Sequence, residues 1–241
     1  MRTLIIAILV CTASPALAWD GPGMWYRAAD DANPGGGGIL GTGGAHDHGI
    51  KCTDCHTDRK MEPNLAFAMT FSPALVANTY APGTRYTITA RLTGAQLPSP
   101  SCGVANGKNN DGFAASFEDD NGISVGTLAA DDGQSAPNCT LSSPPPASGT
   151  TALDGDCKVI FSLGKENVTT WTFSWTAPTT GKVHVSWGAI DGDCDMMSMN
   201  DAAVTGTQTI NGPVQLVPRP ASVLVDAFIR GAAPAARAHA L

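Results

Sequence analysis

Short runs of alternating apolar and polar residues dominate the middle of this 241-residue chain. In residues 86–92 one face takes four apolar side chains: Tyr86, Ile88, Ala90 and Leu92. Residues 113–117, 171–175 and 183–187 repeat the alternation, and turn sequences containing glycine separate these runs. A period of two is typical of half-buried strands, and no stretch from 67 to 217 sustains a 3.6-residue period. The pattern predicts an all-β fold in which two sheets pack as a sandwich.

Composition divides the chain into four parts. Residues 1–18 have a charged start, an apolar core and the A-x-A sequence Ala16-Leu17-Ala18, which is typical of a secretory signal peptide. Residues 19–63 are rich in glycine and too few to build a core alone. Residues 64–217 hold the predicted sandwich. Within it, the composition of residues 131–156 predicts a low-complexity loop. Residues 218–241 are predicted to be a partly disordered tail.

Charge and hydropathy restrict the compartment and the partners. The apolar run in the signal peptide is too short to cross a bilayer, and no second stretch is long enough, so no transmembrane anchor is expected. The formal net charge is -7, and removal of Arg2 with the signal makes the mature chain one unit more negative. An acidic protein is a poor ligand for nucleic acid. We expect an exported protein, periplasmic or extracellular, that does not bind nucleic acid.

The motif that carries chemistry is Cys52-Thr53-Asp54-Cys55-His56. C-x-x-C-H is the attachment sequence of c-type haem: the two thiols, Cys52 and Cys55, form thioethers with the haem vinyl groups, and His56 is an axial ligand of the iron. We therefore predict one covalent haem c per chain. Export agrees with this interpretation because c-type haem is attached after translocation.

Three other interpretations of the C-x-x-C-H motif remain open. A thioredoxin-like redox pair needs a strand before the first cysteine, whereas a Gly-rich stretch precedes Cys52. A zinc site needs a second pair of ligands, which His46 and His48 could supply. A plain disulfide between Cys52 and Cys55 is the third possibility.

The sixth iron ligand determines what a haem protein does. A second histidine or a methionine favours electron transfer, and an open position permits binding of a small gas. His46 and His48 are the preferred candidates because a ligand joined to Cys52 by a few residues closes only a short loop. Met61 and Met69 are the thioether candidates downstream, although Met69 lies in an apolar run that is typical of core packing.

The other cysteines and the acidic clusters have simpler interpretations. Four cysteines remain in the mature chain and are disulfide candidates in an oxidising compartment: Cys102, Cys139, Cys157 and Cys194. Sequence cannot choose among their three connectivities. Residues 118–122 and 191–195 are acidic enough for calcium, but hairpin turns use the same residue types for local hydrogen bonds.

Several short motifs resemble those of Reeler domains. Residues 80–88 (Tyr-Ala-Pro-Gly-Thr-Arg-Tyr-Thr-Ile) resemble the Y-x-P-G-x-x-Y-x-V opening of that family. Gly112-Phe113 with Gly126-Thr127-Leu128, and residues 175–178 with 181–183, resemble its later segments. The order of these motifs after C-x-x-C-H is similar to bacterial Reeler-like proteins of the choice-of-anchor group. The resemblance implies an immunoglobulin-like β-sandwich on an exported protein, and it implies no enzyme activity.

Together these features predict an electron-transfer or redox-associated protein rather than an enzyme. The sandwich would serve as a docking module for a redox partner protein or another exported protein. One alternative is a structural or adhesive exported protein without a redox role. A haem-based sensor of small gases is the second alternative.

Overall fold

The computed structural model describes residues 39–56, 64–94, 110–131, 133, 135–136, 138, 149–166, 168–192 and 201–213. These ranges contain one short helix, α1 (Cys52–Cys55), and nine strands. The strands are β1 (Ala66–Ser72), β2 (Arg85–Thr93), β3 (Asn110–Glu118), β4 (Thr127–Ala129), β5 (Thr151–Leu153), β6 (Val159–Glu166), β7 (Thr170–Thr176), β8 (Val183–Gly192) and β9 (Ala202–Ile210).

The strands form two antiparallel sheets. One has four strands in the order β1-β2-β7-β4, and the other has five in the order β5-β6-β3-β8-β9. Strand β3 lies at the centre of the larger sheet and pairs with β6 on one side and β8 on the other. The prediction of an all-β fold with two packed sheets is confirmed.

The alternating runs supply the core between the sheets. The predicted inward face of β2 is buried at all four positions: Tyr86, Ile88, Ala90 and Leu92. From β7, Trp175 is fully buried, and its ring contacts Phe117 of β3 with centroids 5.2 Å apart. Because successive strand side chains point to opposite faces, one register buries every apolar side chain of a run together. Each large side chain buried this way contributes about 1.5–3 kcal/mol.

The outer face of the five-stranded sheet is covered as well. Residues 39–56, here called the docking segment, pack on it, and the segment's helix α1 contacts β8 and β9. Leu40 from this segment packs on a second apolar cluster of the sheet: Ala114, Ala152, Val159 and Phe161. The Gly-rich segment is too short to build a core alone, and residues 39–56 of it pack on the sheet instead. They form a third layer over part of the sandwich.

Some of the predicted segments can be compared with the described residues, and others lie outside them. Strand β5 forms inside the stretch 131–156, which was expected to be loop throughout. The predicted signal peptide 1–18, residues 19–38 and the tail 218–241 lie outside the described residues, so the boundaries at 18, 63 and 217 stay predictions. Among the described residues, no helix is both long enough and apolar enough to cross a bilayer.

Candidate functional site

The docking segment folds as a closed loop that leads into the C-x-x-C-H motif. Thr42 and Lys51 form an antiparallel bridge, and the Gly43 amide donates to the Ile50 carbonyl at 2.8 Å. The Cys52 amide donates to the Gly41 carbonyl, also at 2.8 Å. These pairings bring the two ends of the loop together immediately before α1, so the motif begins from a fixed backbone.

Asp47 is the internal anchor of this loop. Its carboxylate is completely buried and accepts hydrogen bonds from the Thr42 amide and the Thr42 hydroxyl, both at 2.6 Å. It also accepts a 3.2 Å bond from the Leu40 amide and lies 3.2 Å from His46 Nδ1. Burial raises the pKa of Asp47, but the hydrogen bonds from His46 and Thr42 outweigh burial and lower it overall. The ionised carboxylate therefore holds the loop together.

Glu118 attaches the loop to the sheet. Its buried carboxylate, on the outer face of β3, accepts the amide of Ala45 at 2.8 Å and that of His46 at 2.9 Å. The next residue, Asp119, accepts the amides of Asn121 and Ile123 within its own turn. The acidic run 118–122, which the sequence offered for calcium, thus uses these carboxylates for backbone hydrogen bonds.

The C-x-x-C-H motif forms a single helical turn. The Lys51 amide donates to the Asp54 carboxylate at 2.9 Å, which caps the start of α1. At its end the His56 amide donates to the Cys52 carbonyl at 2.9 Å. Cysteines three residues apart are neighbours on the surface of a helical turn. The local sequence therefore presents two thiols and an imidazole from one short element.

The two thiols have opposite environments. Cys55 is exposed, whereas Cys52, the first residue of α1, is buried against β8. A Cβ atom built on Gly188 of β8 would lie 2.4 Å from Cys52 Sγ and 2.7 Å from the Gly41 carbonyl oxygen. Only a residue without a side chain at 188 lets the helix come so close to the sheet. Burial raises the pKa of the Cys52 thiol to about 12, so it is protonated at neutral pH.

His56 is oriented by a carboxylate from a distant part of the chain. Its Nδ1 lies 2.6 Å from Oδ2 of Asp201, the residue directly before β9. The imidazole is 11% exposed and the aspartate side chain 6% exposed. An ionised carboxylate can accept a hydrogen bond but cannot donate one, so Nδ1 is the donor to it, and in the neutral imidazole Nε2 then keeps its lone pair. This tautomer is the one that can bind a metal through Nε2.

His46 lies in a different place. Its Nε2 is 3.4 Å from Asp154 Oδ2 and 3.8 Å from Asp156 Oδ2, in the turn between β5 and β6. The hydrogen bond to Asp47 raises the pKa of His46, burial opposes this, and the charge of Asp154 adds to the increase.

Strand order separates the two histidines. His46 contacts the turn between β5 and β6, whereas His56 contacts the residue before β9, and β3 and β8 lie between β6 and β9. At about 4.8 Å per strand, three steps across a sheet place these locations roughly 14 Å apart. Asp47 and Asp154 hold the His46 ring at this distance from His56. The role of His46 as a sixth iron ligand stays a prediction.

The remaining candidates are distributed as follows. His48 is exposed at the tip of the docking segment's loop, with a left-handed φ of 54°. Met69 is half-buried on β1 and packs against the main core. Met61 and the disulfide candidates Cys102, Cys139 and Cys194 lie outside the described residues. Cys157 is disulfide-bonded, and its pairing stays a prediction. The roles of His48, Met61 and Met69 likewise stay predictions.

Sequence reasoning missed Asp201 and Gly188. Asp201 stands 145 residues from His56 and belongs to no recognisable motif. Gly188 interrupts the large residues of β8, and an interior strand glycine indicates a close approach of another backbone. That signal could have marked Gly188 as a contact position, but not which segment contacts it.

The residues present fit a haem iron in their donor chemistry. His56 in its neutral form offers Nε2 when Nδ1 donates to Asp201, and Cys55 is exposed beside it on the same turn. Cys52 fits only if its thiol leaves the contact with Gly188, since the neighbouring backbone encloses it. His56 and Cys55 are therefore available for such a group as they stand, whereas the thiol of Cys52 is not.

Comparison with known proteins gives a distant likeness. No family model and no curated protein matches the chain. Among solved structures, the human F-spondin reeler domain matches with a TM-score of 0.39 and 14% identity, covering 66% of this chain and 95% of that one. The Reelin-N domain of F-spondin matches with a TM-score of 0.36 and 15% identity, covering 66% and 94%. The strand pairing of the chain itself remains the evidence for its sandwich.

Proposed function

We propose that the chain is an exported monohaem c-type cytochrome-like protein that transfers electrons. The observation that carries the proposal is the 2.6 Å contact between His56 Nδ1 and Asp201 Oδ2, at the end of a C-x-x-C-H turn. Protein histidines that bind metals almost always donate their other ring nitrogen to a carboxylate, a carbonyl or water. His56 has this partner, and the partner is buried enough to hold the ring in one orientation.

The roles of the residues follow from this arrangement. Cys52 and Cys55 would hold the haem covalently, and His56 Nε2 would bind its iron. When bound, the haem supplies a one-electron couple. Asp201 keeps the proton on Nδ1 and increases the basicity of the imidazole, which favours the ferric state and lowers the reduction potential. The rigid sheet beneath α1 limits the movement of the ligand.

The sandwich would then act as a rigid support and docking module. Residues 39–56, the docking segment, lie on the five-stranded sheet, and the opposite face of this sheet packs on the aromatic core. The sheet therefore gives the C-x-x-C-H motif a rigid support. A redox partner protein in the periplasm or outside the cell is the partner class that this function requires. The signal sequence and the acidic balance support an exported location and argue against nucleic acid as a partner.

The proposal is tested by expressing the full chain with a cytochrome c maturation system. We expect haem-peroxidase stain to stay with the band on a denaturing gel and a reversible one-electron wave without catalytic current. The double variant Cys52→Ala, Cys55→Ala should abolish the stain. Asp54→Ala, which changes the middle of the motif and leaves both thiols and His56 in place, is the matched control and should retain it. A colourless parent would disprove the haem proposal.

A second candidate is a structural or adhesive exported protein without a redox role. The observation that favours it is the enclosure of Cys52 between Gly41 and Gly188, where the thiol acts as an apolar packing group. This candidate predicts a colourless chain under haem-loading conditions and a function that survives Cys55→Ala. Ferrous spectra separate the third class, a gas sensor, because an open sixth position binds carbon monoxide readily.

A further inference from the structure

Two aspartates meet inside the sandwich, on the face of the larger sheet opposite to the docking segment. Asp111 stands near the start of β3 and Asp191 near the end of β8, and the two are directly paired in the strand register. Both are 0% exposed. Side chains that are directly opposite on neighbouring strands have Cβ atoms about 4.5–5.5 Å apart. The fold therefore forces two carboxyl groups together in a buried location.

The carboxyl group of Asp111 has no hydrogen-bond partner apart from the carboxyl group of Asp191. Buried polar groups in proteins almost always have a partner, so an exception needs an explanation such as an absent ion. Burial, and then the charge of Asp191, raise the pKa of Asp111 to about 8. A carboxylate in such a place is either neutralised by a proton or stabilised by a cation.

A cavity of about 240 Å³ adjoins the pair. Its lining combines apolar side chains with oxygen-bearing groups, and it comprises Leu65, Arg91, Leu92, Thr93, Gly94, Asp111, Thr169 and Asp191. A water molecule occupies about 30 Å³ in the liquid, so a cavity of this size has room for an ion with several waters. Thr169, the residue before β7, is part of this lining.

We propose that Asp111 and Asp191 bind a hard divalent cation of the Ca²⁺ class inside this cavity. Two carboxylates supply up to four oxygens, and hydroxyl groups, carbonyls and water complete a set of the kind that Ca²⁺ accepts. The described donors are all oxygens, which disfavours soft transition metals. Ca²⁺ tolerates irregular coordination better than Mg²⁺, which demands a near-ideal octahedron.

The small number of acidic ligands sets the strength of this site. Only two carboxylates contribute, so the dissociation constant should fall in the range of extracellular modules, about 10⁻⁴–10⁻³ M. This inference does not depend on the haem, because the pair and the motif lie on opposite faces of the sheet.

The experiment uses the full chain, stripped with a chelator and titrated at neutral pH with Ca²⁺ or Mg²⁺ alone. At Ca²⁺ about tenfold above the dissociation constant, we expect the melting temperature to rise by about 3–6 °C, and Mg²⁺ should give a smaller rise. Asp111→Asn keeps the shape and should weaken Ca²⁺ binding at least about tenfold. Asp156→Asn removes the same charge from the His46 cluster and serves as the matched control, with unchanged binding.

The outcomes decide the proposal. A Ca²⁺ response that persists in Asp111→Asn, or one that disappears in Asp156→Asn instead, overturns it. If Asp111→Asn does not fold, Asp191→Asn takes its place. Isothermal titration gives a second readout: a saturable Ca²⁺ heat in the millimolar range that is present in the parent and lost in the Asp111 or Asp191 variant supports the site. Absence of that heat in the parent means that the proposal is wrong.

Discussion

Replacement of Gly188 by alanine tests whether α1 is docked on the sheet as described. The added methyl would lie 2.4 Å from Cys52 Sγ, 2.7 Å from the Gly41 carbonyl oxygen and 3.2 Å from Cys52 Cβ. No rotamer change relieves the contact with Gly41, because that atom belongs to the backbone. The helix or the loop must therefore move away from β8.

The free-energy cost of Gly188→Ala is the balance of an unfavourable steric contact and a favourable change in the unfolded chain. Overpacking of a close contact costs about 1–3 kcal/mol. Within the sheet, alanine is slightly better than glycine because it restricts the unfolded chain, so the sandwich itself should lose little. The cost falls on docking of residues 39–56. At 1.4 kcal/mol per tenfold, local opening that exposes Cys52 should become about 5- to 150-fold more frequent.

The assay is the rate at which a thiol reagent modifies Cys52 in the haem-free chain, read by peptide mass spectrometry in a Cys55→Ser background. Gly206→Ala is the matched control, since its methyl meets the Trp187 ring on the sheet rather than the docking segment. We expect faster Cys52 modification in Gly188→Ala alone. Equal protection of Cys52 in the parent and in Gly188→Ala would refute the close packing of α1 on β8.

Three further predictions concern the carboxylates and His46. Asp47→Asn should destabilise the docking segment by about 1.5–3 kcal/mol, since Thr42 loses its charged acceptor; faster hydrogen exchange of the Thr42 amide measures this, and unchanged exchange would contradict it. Asp201→Asn should raise the potential of the haem-loaded chain by tens of millivolts, because the amide leaves the imidazole less basic; an unchanged or lower potential in spectroelectrochemistry would count against the role of Asp201. The raised pKa of His46 means that its charge stabilises the fold fully below pH 6.5 and that this stability is lost as pH rises through the folded-state pKa. Nuclear magnetic resonance titration should give His46 a pKa above 6.5 in the parent and a lower one in Asp47→Asn, and a parent value below 6.5 would be inconsistent with the contact.

The sandwich was predictable because its signal is local. The alternation in residues 86–92 and 171–175 assigns each side chain to a face, and burial of Ile88 and Trp175 follows from that assignment. Strand β5 was missed because Thr151–Leu153 is short and stands beside low-complexity sequence. Its three residues do not indicate a strand by themselves, and the strand forms because it pairs with β6.

The site was predictable only in part, because its supports are distant in sequence. The pattern C-x-x-C-H identified Cys52, Cys55 and His56 as a unit, but Asp201 and Gly188 reach that unit only through the strand order. The short loop between His46 and Cys52 favours His46 as an iron ligand, and that role stays a prediction. A short loop does not indicate the contacts of the His46 ring with Asp47, Asp154 and Asp156, because Asp154 and Asp156 are more than 100 residues away in sequence.

The most direct test of the central claim is the mass of one peptide. Trypsin cleaves after Lys51 and Arg59, which releases residues 52–59 with both thiols and His56. For the full chain matured in a haem-loading host, we predict that this peptide carries the mass of one haem and that the addition resists acid extraction. A peptide of unmodified mass, or one that has lost two hydrogens through a Cys52–Cys55 disulfide, would contradict the account.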